Sequence, residues 1–189
     1  MKKIITLALS LTVWSVIACC ALALVNSFTA PIIEERANAS IKAALTEIFP
    51  EAKKFDTISE EVFSSVPTIT FDNAYLVTNG DKTLGITITA TGPTYGSSTI
   101  MVGIDTHGLV KGISFIENTD TKGIGSKVLE STFTSQFFGK NAHDEFKVGS
   151  DVQGVSGATI SSKGVSEILK TACISAVTFM ANNGITEEN

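Results

Sequence analysis

From Ile4 to Val25 the chain carries no charged residue, and after Lys3 the next charge is Glu34. Twenty-two residues at ~1.5 Å rise cover about 33 Å as a helix, enough to cross a hydrocarbon core of ~30 Å. The polar residues within the run, Thr6, Ser10, Thr12 and Ser15, are small hydroxyls that can bond back to helix carbonyls. A secretory signal has a shorter apolar core and a small-residue cleavage site. The run therefore predicts a single membrane-spanning helix, and no second run of that length follows it. Lys2 and Lys3 precede the span while Glu34 and Glu35 follow it, which places the N-terminus in the cytoplasm and the rest outside the inner membrane. Val16-Ile17-Ala18-Cys19 is lipobox-like and offers a lipid anchor instead. Against that, the run stays apolar through Ala21–Val25, where a lipoprotein begins a polar tether. The paired thiols Cys19 and Cys20 read as small apolar side chains.

Composition narrows the rest. Apolar residues make up 43% and charged ones 17% of 189, so the chain is not disordered. Without Lys2 and Lys3, twelve basic residues stand against nineteen acidic ones, a formal charge of −7 that excludes nucleic acid as a partner. Three cysteines and two histidines supply neither a disulfide framework nor a standard zinc site, so no metal is expected.

Pro31 suits the first turn of a helix, and Ile33, Ala37, Ile41, Ala44, Leu45 and Ile48 recur at helical spacing. This predicts a juxtamembrane helix followed by a connector to residue 72. Strand signals then dominate: Ala74–Thr78, a turn at Asn79-Gly80-Asp81, alternation at Leu84, Ile86, Ile88 and Ala90, a run at Thr99–Ile104, a turn at Asp105–Gly108 and a run at Leu109–Ile116. A loop at Asn118–Gly125, a helix over 126–138 and a long helix over 161–182 complete the pattern. The expected organisation is an anchor (1–30), a juxtamembrane helix and connector (31–72), and an α+β domain (73–189) with an antiparallel sheet and flanking helices.

The stretch Gly154-Val155-Ser156-Gly157-Ala158-Thr159-Ile160-Ser161-Ser162 precedes the last helix. Small residues admit a ligand close to the backbone, and a helix N-terminus favours a phosphate. Capping of that helix by Ser161 or Ser162 is the simpler explanation of the same residues. Gly154–Ala158 also fits a relaxed nucleophile elbow, but His107 and His143 both precede Ser156, the wrong order for that fold.

Ser156-Gly157-Ala158-Thr159 followed by Ile160-Ser161-Ser162 resembles the flavinylation motif of the FMN-binding domain family. The single span leading into Asn26–Ile32, the segment Thr94-Tyr95-Gly96 and the loop Asp120-Thr121-Lys122-Gly123-Ile124-Gly125 extend the resemblance over nearly the whole chain. Within the family it is similar to the G subunits of Rnf-type ferredoxin:NAD+ oxidoreductases and to the C subunits of Na+-translocating NADH:quinone reductases, and its short length favours the former. The resemblance implies FMN joined by a phosphoester to Thr159, with Ser156, Gly157, Ala158 and Ser161 around the phosphate. It places the flavin ring against Thr94, Tyr95, Thr121, Gly123, Ile124 and Gly125, and assigns no catalytic residue. It also implies an extracytoplasmic electron carrier, a flavin transferase for maturation, and other membrane subunits as partners. Two positions depart from the pattern: Gln153 stands where the family often has an acid, with Asp151 two residues earlier, and Lys122 replaces a proline. The alternative is a tethered or lipid-anchored assembly module without flavin.

Overall fold

The computed structural model describes residues 2–59, 63 and 66–185. It divides into two compact units, Met1–Ile41 and Lys42–Asn189. Parts of the expected connector, at 60–62, 64 and 65, lie outside the described residues, as do the side chains of Lys2, Lys3 and Glu34.

The first unit is helical. Helix α1 runs from Lys2 to Ile48 and passes through Pro31 without a break, where the sequence predicts a new helix. A proline removes one backbone donor, and a long apolar helix tolerates that loss where its other groups are satisfied. The Ser27 and Thr29 hydroxyls donate to the carbonyls of Leu24 and Val25 at 2.8 and 2.6 Å, keeping their own polarity inside the helix. The large apolar side chains described between Ile4 and Ile33 are 51–73% exposed. Left in water such a surface would be unfavourable, whereas lipid is its natural solvent.

The second unit begins with the last turns of α1. Ala44, Leu45 and Ile48, with Phe49, are the buried members of the predicted apolar face. Five strands follow: β1 (Lys54–Ile58), β2 (Thr70–Asn79), β3 (Lys82–Pro93), β4 (Ser97–Asp105) and β5 (Val110–Asn118). Each pairs antiparallel with its sequence neighbour, giving the order β1-β2-β3-β4-β5. The expected turns are present: Gly80 and Gly108 take positive φ (69° and 76°), and Asp105 Oδ1 accepts from the amides of His107 and Leu109. Ile48 and Phe49 lie on one face of the sheet over Gly103, where a Cβ would come within 2.2 Å of Ile48.

The other face, with Ile86, Ile88, Ile100 and Val102, belongs to the main core together with α3 (Thr159–Asn182). Cys173 sits in this core, where burial pushes its thiol up to about 12 and leaves it inert. The helix predicted over 126–138 is instead three short pieces: a 3-10 turn at Gly125–Leu129, α2 (Ser131–Thr134) and a 3-10 turn at Ser135–Phe137. Glu130 is extended between the first two. The run Ser131–Ser135 is poor in strong helix formers, and Phe133 and Phe137 bury as an edge-to-face pair 5.3 Å apart.

Candidate functional site

Helix α3 starts at Thr159, two residues earlier than its apolar face indicates. Before it, Ala158 N donates to the Val155 carbonyl at 2.9 Å, closing a turn with Gly157 in its third position at φ +79°. That conformation suits glycine and few other residues. Ser162 then locks the turn to the helix: its Oγ accepts from Val155 N and donates to the Ala158 carbonyl, both at 3.0 Å. Neither Ser161 nor Ser162 caps the helix: Ala158 holds the N-cap position, and no side-chain cap hydrogen bond is made among the described residues. The leading N–H groups of α3 are thus left for an outside acceptor, and the Thr159 side chain stands exposed among them.

Close backbone packing seats this helix end beside the β3–β4 turn. A Cβ on Gly164 would lie 2.4 Å from the Pro93 carbonyl oxygen, and one on Gly92 would lie 2.7 Å from Ile168. Gly164→Ala is expected to force the helix off the turn and destabilise the fold by about 1–3 kcal/mol, as overpacking does. Chemical denaturation of the full chain in detergent measures this.

Behind the contact lies a buried carboxylate. Asp120 is 6% exposed. Its Oδ1 accepts from Thr94 Oγ1 at 2.6 Å and from Gly96 N at 2.7 Å, and its own amide donates to Asn118 Oδ1. Gly125 touches it so closely that a Cβ would fall 2.7 Å from the carboxylate. Burial works to raise its pKa, but the Ser161 and Thr94 hydroxyls, the Gly96 amide and Asn118 together hold it below the ordinary carboxylate value. Ser161 Oγ and Asp120 Oδ2 are both buried and neighbour each other, close enough for the hydroxyl to lower the carboxyl's pKa, although neither makes a hydrogen bond of good geometry. Two orphaned polar atoms mark a place where a further polar group fits.

A cleft of about 230 Å³ opens in front of these groups, lined by Tyr95, Ile124, Gly125, Gly157, Ala158, Thr159, Ile160 and Ser161. It unites seven of the residues singled out in the sequence. Thr94 lies behind it, bonded to Asp120. Three others are not in its lining. Ser156 is at the exposed corner of its turn, the Thr121 carbonyl accepts from the Ile124 and Ser126 amides, and Gly123 N donates to Ser126 Oγ. Ile160 is an addition, a spacer in the motif that turns out 60% exposed beside Tyr95 (61%) and Ile124 (53%). Three large apolar side chains at one rim suit a flat, partly apolar ligand.

A larger depression of about 580 Å³ runs along α3 between Lys147 and Lys170, but contains none of the motif residues. No histidine lines the cleft, so Ser156 has no base there. Among the described residues no group of three or more His, Cys, Asp or Glu is placed to hold a metal. Asp151, the acid nearest the departure at Gln153, is engaged elsewhere. It accepts from Lys140 Nζ and from the Phe146 and Lys147 amides, which hold its pKa down against burial. Gln153 is exposed, and its backbone is clamped by both ends of the Gln136 amide.

Residues 94–173 match the model of the FMN-binding domain. The chain is 32% identical over 183 residues, 87% of each chain, to the G subunit of the Na+-translocating ferredoxin:NAD+ oxidoreductase complex of Acetobacterium woodii. It is 36% identical over 111 residues to the C subunit of the Na+-translocating NADH-quinone reductase of Vibrio vulnificus, covering 48% of this chain and 42% of that one. The crystal structure of Shewanella oneidensis NqrC shares the fold, with a TM-score of 0.52 at 18% identity over 74% of this chain and 86% of that one.

Proposed function

The chain belongs to the FMN-binding domain family, alongside the G subunits of ion-translocating ferredoxin:NAD+ oxidoreductase complexes, and from that premise we propose that it is a membrane-anchored electron carrier of such a complex, with FMN joined through its phosphate to Thr159. The observation that carries the proposal is the meeting, in one cleft, of an uncapped helix N-terminus and an exposed hydroxyl on its first residue, with the buried Ser161 hydroxyl in the cleft wall.

These residues fit FMN. The first N–H groups of α3 and its positive dipole end would receive the phosphate. Tyr95, Ile124 and Ile160 would cover the flavin ring, leaving one side open to exchange electrons. Bound FMN supplies reversible redox chemistry, and the protein supplies placement and an electrostatic setting. Asp120 ties the β3–β4 turn to the 120–125 loop through Thr94 and Gly96, which holds two walls of the cleft together.

Attachment is a group transfer in which a flavin transferase presents FAD. The Thr159 oxygen forms the new bond to the flavin-side phosphorus, the pyrophosphate bridge breaks, AMP leaves and the hydroxyl proton passes to solvent. A covalent link suits a location outside the cell, where a lost cofactor cannot be replaced from the cytoplasm. The unbroken helix through Cys19 and Pro31 supports a span rather than a lipid-anchored tether, and Lys2 and Lys3 favour a cytoplasmic N-terminus. Other subunits of the complex would be its electron donor and acceptor.

The full chain co-expressed with a flavin transferase should yield a 148–163 peptide heavier by one FMN phosphoester. It should also give a yellow fluorescent band that survives denaturation. An unmodified peptide from natively purified material would overturn the proposal.

A further inference from the structure

Lys127 lies in the 3-10 turn that follows the 120–125 loop and is half-buried. A Cβ placed on Gly157 would be 3.9 Å from its Nζ, so the ammonium rests against the turn that leads into Thr159. Among the described residues, no acidic group is within ion-pair distance of it. The side chains lining the cleft are all uncharged. Asp120, the nearby acid, is committed to Thr94 and Gly96.

An unpaired cation held at the edge of an uncapped helix N-terminus calls for an anion. Ser161 Oγ, buried in the cleft wall beside Asp120, makes no hydrogen bond of good geometry and adds a second sign that a polar ligand belongs there. We propose that Lys127 is the counter-ion of the phosphodiester on Thr159, a positioning residue that holds the flavin's attachment point against Gly157. This rests on attachment at Thr159. Lys163, one helical turn beyond Thr159, is the competing cation. It is exposed and lines the 580 Å³ depression instead.

The test uses the full chain with a flavin transferase, comparing wild type, Lys127→Met, Lys127→Gln, Lys127→Arg and Lys163→Met. Modification is followed in time by intact mass, and the diester by its 31P resonance. A charge-assisted contact of this kind is expected to make Lys127→Met and Lys127→Gln roughly tenfold slower to modify. Their 31P resonance should shift, and the gain in Tm on flavinylation should shrink. Lys127→Arg should restore much of the rate, Lys163→Met should match wild type, and all unmodified forms should melt alike. Wild-type rates and resonances in both neutral variants, or an effect confined to Lys163→Met, would overturn the role of Lys127 while leaving the flavin ester intact. An unmodified wild-type Thr159 would instead overturn the reading beneath it.

Discussion

Thr159→Ala should emerge from co-expression with a flavin transferase unmodified by intact mass and dark on a denaturing gel, with flavin occupancy at background. The residue is exposed at the first position of α3 and its removal leaves no buried group unpaired. Its effect on stability should stay within about 0.5 kcal/mol. Loss of flavin from a chain that still unfolds at the wild-type denaturant concentration separates lost chemistry from lost fold. Thr159→Ser keeps a hydroxyl on the same helix end and should retain part of the modification. Ser156→Ala should be modified like wild type, because Ser156 stands at the outer corner of its turn and not in the cleft. Full modification of Thr159→Ala, or its loss in Ser156→Ala alone, would move the ester to another hydroxyl.

The second large effect is expected at Asp120. Alanine there strips the carboxylate from buried Thr94 Oγ1, which keeps only the longer 3.2 Å contact with Ser98 Oγ, and from the amide of exposed Gly96, which water can reach. With one donor buried and the other open to water, the loss is about 1–3 kcal/mol. Asn keeps one oxygen for those donors and should be milder. The two variants also separate fold from charge through pH. The folded Asp120 has a lowered pKa, so its contribution is complete above the ordinary carboxylate range near 4. It is lost as pH falls through the lower folded value. Denaturation of the unmodified full chain in detergent should show wild type losing stability below about pH 4, with a shallower decline in Asp120→Asn. Parallel curves would show that the carboxylate's charge contributes nothing.

Much of this architecture could be read in advance wherever one physical signal acts alone. The long apolar helix was legible because nothing charged interrupts Ile4–Val25, and four strands were legible because Gly80 and Gly108 mark turns between alternating runs. Strand β1 escaped notice since an edge strand such as Lys54-Phe55-Asp56-Thr57-Ile58 buries little and needs little apolar pattern. The helix expected over 126–138 failed because burying Val128, Phe133 and Phe137 together outweighed a continuous helical course. At the site, the motif pointed to the helix end and the glycine loop. It could not reveal that Asp120 reaches across to Thr94 and Gly96, or that Lys127 comes to rest on Gly157. Those are contacts between segments tens of residues apart. Thr121, Gly123 and Ser156 shape the loops that frame the cleft, a role that a motif cannot distinguish from touching the ligand.

Every strand pairs with its immediate neighbour in the chain, whereas the cleft draws Tyr95 from the middle of the unit and Thr159 from its final helix. Local pairings form early and distant ones late. The Thr159 hydroxyl therefore meets the aromatic wall at Tyr95 only once the last helix has docked. Maturation would then act as an inspection step: a truncated or misassembled chain offers the modifying enzyme no finished seat, and only completed molecules acquire colour.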